Sequence, residues 1–327
     1  MQLAALLSGG LLFILLGFQH TFISLGAGTF ILSICNEAFR PANSTAIAYY
    51  SSPENKTRSY SLNRLAVNLG WAVGGAVGGF LASINYHLLF WVDGCTNIVA
   101  AFILLRVIPR SSVKALQAQQ PRQEHPAHSA YQDKAYLLFI LLVTLFASCF
   151  FQLFTMQPVF YKTQWQLSER FIGALMALNG VLIAVVEMAL IYKLEGRRHP
   201  LKYIMLGVLI VGIGFTILNI LPAGAWVAVF TVLIVSIGEI LSMPFMNAFW
   251  VERTTPGNRG QYAALYTMSW SLAQILAPAL GSQVILHAGY GTLWWLISGI
   301  CCLSALGFFM LYQTIKAAKP YPHNAGL

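Results

Sequence analysis

Long apolar runs separated by short polar gaps recur along nearly the whole chain. Ten can be drawn, at 1–18, 22–50, 59–83, 88–108, 135–159, 171–192, 203–221, 225–250, 262–286 and 291–313. A helix needs about 20 residues to cross the hydrocarbon of a bilayer, and most of these runs come close to that length or exceed it. In lipid, a segment must satisfy its own backbone hydrogen bonds, which favours helices. The pattern predicts an all-α polytopic membrane protein with ten transmembrane helices, the first of them short and starting at Met1.

The one long polar stretch, about 109–134, holds Arg110, Lys114, Arg122, Glu124 and Lys134 with Pro121, Pro126 and several glutamines. It reads as a linker. An N-terminal bundle of four spans (1–108) precedes it, a C-terminal bundle of six (135–313) follows, and a tail (314–327) ends the chain. His125 and His128 lie in the linker with no third ligand nearby, so no metal site is expected.

Composition fits a lipid solvent. Hydrophobic residues make up 57% of the chain and charged residues 9%, against roughly 25% charged in soluble domains. The formal charge of +9 would suit nucleic acid if it were clustered on one soluble face, but the basic residues occupy gaps between apolar runs. Sixteen of the 19 Lys and Arg fall on one side, formed by 51–60, 109–134, 193–202, 251–261, the adjoining helix ends and the tail. Lys162 and Arg170 fall on the other, and Arg40 lies inside a span. By the positive-inside rule the first side is cytoplasmic. No nucleic-acid partner is expected.

Cys35, Cys95, Cys149, Cys301 and Cys302 lie in or beside apolar runs, without metal-ligand or CxxC spacing, and read as packing residues. Residues 1–18 lack the basic start and small-residue cleavage site of a signal peptide. There is no Walker loop, dinucleotide fingerprint, His-Glu-x-x-His or nucleophile elbow. No enzyme activity, self-contained ATP-driven pump or cofactor is expected.

The two halves share a repeat at an offset of 203 residues. Pro41 falls on Pro244, Pro53 on Pro256, Asn55 on Asn258, Leu62 on Leu265, Leu69 on Leu272, Ala76 on Ala279 and Gly78 on Gly281. Each copy runs from a proline-bearing helix through a short Pro-x-Asn loop into a helix rich in small residues. Parallel repeats of this kind build transporters. The span 203–221 corresponds to 1–18, so the repeat expects two more helices, roughly 70 residues, upstream of Met1.

Three segments carry a family resemblance. Lys193-Leu194-Glu195-Gly196-Arg197-Arg198 resembles the acidic-x-Gly-Arg-Arg/Lys loop of the major facilitator superfamily. Gly70-x-x-x-Gly74-Gly75-Ala76-Val77-Gly78-Gly79 is similar to its antiporter motif, with Gly75 where proline is expected. The second copy, Ala277-Pro278-Ala279-Leu280-Gly281, keeps the proline. Phe39-Arg40-Pro41-Ala42-Asn43 and Met243-Pro244-Phe245-Met246-Asn247 stand at matching places in the halves, and Arg40 resembles the arginine of a family motif. The chain most resembles the drug:proton antiporter branch.

That resemblance implies a twelve-helix plan of two pseudo-symmetric bundles, here beginning at the third helix. It implies a monomer in the bacterial cytoplasmic (inner) membrane. The expected function is multidrug-type efflux, the proton-coupled export of small amphipathic organic compounds by alternating access. Proton-coupled import of peptides or other nutrients is the alternative. A non-transporting fragment or scaffold derived from such a transporter is a further one.

Ionisable groups inside a span are costly and mark candidate chemistry. Glu37 and Arg40 lie three apart on one helix face, where they serve as a substrate or proton site or as a local charge pair that fixes packing. Glu239 has no basic residue within a turn and is the leading proton-coupling or substrate candidate. Glu187 lies near the end of its span and is expected to act with Glu195, Gly196, Arg197 and Arg198 at a cytoplasmic gate, or to be structural. Gly70, Gly74, Gly75, Gly78, Gly79, Pro278 and Gly281 are expected to pack helices closely. Asn43, Gln152, Asn179, Asn247 and Gln274 are candidate cavity-lining residues.

Overall fold

The computed structural model describes residues 1–50, 56–107, 129–194, 196–254 and 258–318. The apolar runs become helices: α1 (Gln2–Leu16), α2 (Phe22–Tyr50), α3 (Lys56–Ile84) and α4 (His87–Val107), then α5 (Lys134–Phe150), α6 (Met156–Thr163), α7 (Glu169–Leu194), α8 (Pro200–Ile220), α9 (Ala225–Glu252) and α10 (Arg259–Ala318). Among the described residues, eight stretches of helix are long and apolar enough to cross a bilayer, and α5 and α6 together supply one of them. Counted as two limbs divided at Gly289, α10 raises the number to nine, so the expected ten is high only by the first helix, which was expected to be short. Helix α1 has only 15 residues, which at 1.5 Å each rise about 22 Å. That falls short of a hydrocarbon core about 30 Å thick.

Two departures from straight spans have local causes. The run expected at 135–159 is broken by a 3-10 turn over Phe151–Leu153 before α6 begins. Pro158 lies in the first turn of α6, where its missing N–H and its ring are tolerated. A continuous helix would set that ring against the carbonyl of Phe154. The runs expected at 262–286 and 291–313 merge into α10, interrupted only at Gly289, where φ is 80°. This backbone state favours glycine. Along the first limb of α10, the Tyr136 hydroxyl donates to the carbonyl of Tyr262 at 2.7 Å and Gln152 Nε2 to that of Ala277 at 2.7 Å. Beyond Gly289 the order inverts: Cys149 Sγ meets the carbonyl of Ile297 at 3.8 Å, and the Phe139 and Phe308 rings lie 6.0 Å apart. The two limbs thus run in opposite directions beside α5.

The chain forms two compact units, Met1–Arg122 with Glu169–Ala174, and Gln123–Ser168 with Leu175–Leu327. In the first, α1 packs on α2 and α4. One close helix approach there is Gly10 against Gly94, where a Cβ on either would stand 2.8 Å from the other's carbonyl oxygen. In the second, α8 packs on α9 and α10, and α5 on α10. Tyr136, Phe139, Phe146, Phe215, Trp294 and Phe308 are fully buried there.

Candidate functional site

Helix α9 sets Ser236 and Glu239 three residues apart, hence on one face. The backbone beneath them is fixed against α8: a Cβ on Gly238 would lie 2.6 Å from the carbonyl oxygen of Gly207, and one on Gly207 would lie 2.5 Å from that of Gly238. Only paired glycines allow helices this close. From α7, buried Asn179 reaches the same face. Its Nδ2 donates to Ser236 Oγ at 2.9 Å and to Glu239 Oε2 at 3.1 Å. Ser236 gives its own proton to the carbonyl of Val232 at 2.7 Å, which leaves its oxygen to accept. That assignment orients the Asn179 amide, with both protons engaged. Glu239 is half-buried at the edge of this cluster.

The Asn179–Ser236–Glu239 arrangement can take up or release a proton at the carboxyl. The ionised form accepts from Asn179. The protonated form becomes a donor, and an amide that turned over would accept from it. A buried polar network of this kind registers a single proton as a change of hydrogen-bond direction.

A second polar contact brings together two other sequence-predicted residues, Gln152 and Gly281. Gln152, 4% exposed, donates to the carbonyl of Ala277 at 2.7 Å and accepts from Thr155 Oγ1 at 3.3 Å. A Cβ on Gly281 would stand 2.8 Å from Gln152 Oε1, so the small residue makes room for the amide. Pro278 lies between Ala277 and Gly281 inside α10. Gln274 and Asn247 are exposed and stand apart from this contact. Asn247 accepts from Trp250 Nε1 at 3.2 Å on its own helix.

In the first unit, Asn43 links three helices. It accepts from Gln2 Nε2 on α1 at 3.3 Å and donates to Asn63 Oδ1 on α3 at 3.0 Å. Glu37 is exposed on α2, and the Arg40 side chain lies outside the described residues. The α3 glycines divide. A Cβ on Gly79 would meet Gly173 Cα at 2.5 Å, and one on Gly173 would meet the Gly75 carbonyl oxygen at 2.7 Å. Among the described residues, a Cβ on Gly70 or Gly74 would meet nothing within 4 Å, and one on Gly78 only Leu89 at 3.9 Å. The expected close packing does not extend to Gly70 and Gly74, because no described element approaches that face of α3.

Glu195 lies outside the described residues, as do His125 and His128. Gly196 has φ 73°, and Arg197 and Arg198 are exposed. Glu187 is buried, 5% exposed, near the end of α7.

Sequence reasoning missed a charged cluster at the basic end of the second unit. Asp133 caps α5, accepting from the Tyr136 amide at 3.0 Å. Arg253, just past α9, donates through Nε and Nη2 to Asp133 Oδ2 at 3.0 and 2.7 Å, and Tyr262 from α10 adds a bond at 2.9 Å. Burial pushes the Asp133 carboxyl up. The bonds from Arg253 and the Tyr136 amide, the guanidinium charge and the Tyr262 hydroxyl outweigh it and hold the group below its ordinary value. The local signal was Asp133 three residues before Tyr136, just ahead of an apolar run, a helix-capping position. Its partner 120 residues away gave no signal.

The sequence pattern of the Major Facilitator Superfamily matches residues 1–278. The uncharacterized MFS-type transporter YqjV of Bacillus subtilis is 22% identical over 295 residues, covering 88% of this chain and 70% of that protein. The sucrose permease of Escherichia coli is 24% identical over 263 residues, covering 77% of this chain and 62% of the permease. The chain thus spans less than two thirds of that permease's length. The fold is similar to that of a POT family transporter solved with 5-aminolevulinic acid, with a TM-score of 0.77 at 14% identity, covering 96% of this chain and 82% of that one. Helical architecture, parallel repeat and sequence pattern agree, and the chain belongs to the Major Facilitator Superfamily.

Proposed function

We propose that this secondary transporter couples cargo movement to protons through Glu239. The observation that carries the reading is the bond from Asn179 Nδ2 to Glu239 Oε2 at 3.1 Å, which joins α7 to α9 beside a half-buried carboxyl. Loading a proton onto Glu239 changes which of its neighbours it can bond, and so shifts the relative stability of two arrangements of these helices. Glu37 and Arg40 are the matching candidates for cargo or proton contact in the first unit. Gly196, Arg197 and Arg198 form part of a gate on the cytoplasmic side.

The cargo class is small amphipathic organic compounds, exported in exchange for protons. Pro278 in the second small-residue motif supports this antiporter reading. The sucrose permease relative favours a second reading, proton-coupled import of a nutrient.

Inverted membrane vesicles carrying the full chain test both readings. With an imposed proton gradient, ethidium accumulation that labelled sucrose or a dipeptide does not match supports export of amphipathic compounds. Nutrient flux in the opposite direction supports import. In either case Glu239→Gln abolishes the dependence of flux on the proton gradient, and Asn179→Ala shifts the pH profile while flux persists. Unchanged proton-driven flux in Glu239→Gln overturns the assignment.

A further inference from the structure

A groove of about 240 Å³ opens at the basic end of the second unit, between the start of α8 and the end of α10. Arg198 and Lys202 form its polar rim, and Met205, Leu206, Phe309 and Tyr312 its floor and walls. Both cations are exposed. Lys202 Nζ lies 5.0 Å above the Tyr312 ring, which holds the ammonium over the groove rather than out in solvent. Lys316 follows Tyr312 by four residues and adds a third cation on that helix face.

The surface beyond the groove is apolar. Leu206 is 46% and Phe309 41% exposed at its mouth. Further into the membrane, Ile213 on α8 and Leu303 and Leu306 on α10 remain exposed. The groove therefore offers two chemistries in one order: two cations at the level of the headgroups, then uncovered hydrocarbon toward the bilayer centre. A compact anion satisfies only the rim, and a neutral lipid only the apolar wall.

We propose that this groove binds an anionic phospholipid of the cytoplasmic leaflet, its phosphate held between Arg198 and Lys202 and its acyl chains laid along α8 and α10. Charge complementarity selects the headgroup. Basic pockets between membrane helices on the cytoplasmic side suit such lipids. The basic end is also the side that the distribution of Lys and Arg assigns to the cytoplasm.

Native mass spectrometry of the purified full chain tests the assignment. The probes are dioleoyl phosphatidylglycerol, dioleoyl phosphatidylcholine and tail-free glycerol 3-phosphate. Phosphatidylglycerol is expected to stay bound in preference to the other two. Each basic residue near an anionic headgroup contributes about fivefold, so Arg198→Gln with Lys202→Gln lowers that preference by on the order of thirtyfold. The control pair Lys193→Gln with Arg259→Gln removes the same charge away from the groove and leaves the preference intact. Equal retention of the two lipids overturns the proposal, as does a preference that survives in the groove pair. Equal loss in the control pair, or retention of glycerol 3-phosphate as strong as that of the lipid, overturns it as well.

Discussion

Helices of similar apolar character are covered very differently in the two units. In the first, 6% of the apolar stretch Phe22–Phe39 and 6% of Leu65–Ile84 is buried by protein. In the second, the figures are 50% for Pro200–Ile220 and 56% for Ala225–Glu252. Apolarity selects the membrane, but it does not select neighbours, because lipid tails satisfy a leucine as well as another helix does. The first unit has close contacts of its own, Gly10 against Gly94 and Gly79 against Gly173, and the second adds to Gly207 against Gly238 the fit of Gln152 into the space left by Gly281 and Asp133 between Arg253 and Tyr262.

The sharpest way to break this comparison is to place the same side chain on a glycine of each unit. Gly238→Leu forces α8 and α9 apart, because a Cβ there already sits 2.6 Å from a backbone oxygen. It is expected to cost about 3 kcal/mol. Gly74→Leu, which enters open space among the described residues, is not destabilising and changes stability by less than about 1 kcal/mol. Thermal unfolding of both variants in detergent reads the difference, and equal losses abolish the distinction.

Next in size is the charged cluster. Asp133→Asn leaves the Arg253 guanidinium without its carboxylate and costs about 2 kcal/mol. A double-mutant cycle with Arg253→Gln isolates a coupling of about 1 kcal/mol or more. In the first unit, Asn43→Ala removes hydrogen bonds to Gln2 and Asn63 and costs about 1 kcal/mol.

Acidification separates the units in another way. Asp133 is held below its ordinary value in the fold, so its contribution is complete above that value and fades as pH falls through the lowered one. Burial, then the charges of Lys202 and Arg253, push His199 down from 6.5. Its contribution is likewise complete above 6.5 and fades as pH falls through its lowered value. Unfolding temperature measured against pH is expected to fall in two stages on the acid side. His199→Asn removes the upper stage and Asp133→Asn the lower. In the opposite direction, Gly70→Ala raises stability by about 0.5–1 kcal/mol, since it restores helix propensity at an uncrowded position.

Span positions were legible because length and apolarity alone decide them, and helix bounds follow the drawn runs within a few residues. Pro158 and Gly289 were visible, but their effects depend on the turns around them. Glu239 and Asn179 were each legible as polar residues in a greasy run. Their meeting was not, since it depends on how α7 packs on α9. The α3 glycines show the reverse failure: a stripe of small residues marks where a helix can be approached, and only a neighbour decides whether it is. Asp133 and Arg253 escaped notice because the ends of spans normally carry solvated charges, and nothing local distinguishes a charge that has found a distant partner.

Gly289 also bears on how the protein is made. With a single non-helical residue joining two long apolar limbs, the reversal contributes almost no polar connector, and the two limbs are expected to enter the bilayer as one helical hairpin. Since α5, α8 and α9 precede α10 in the chain, a defect introduced at Gly289 would misplace both limbs together against helices already made.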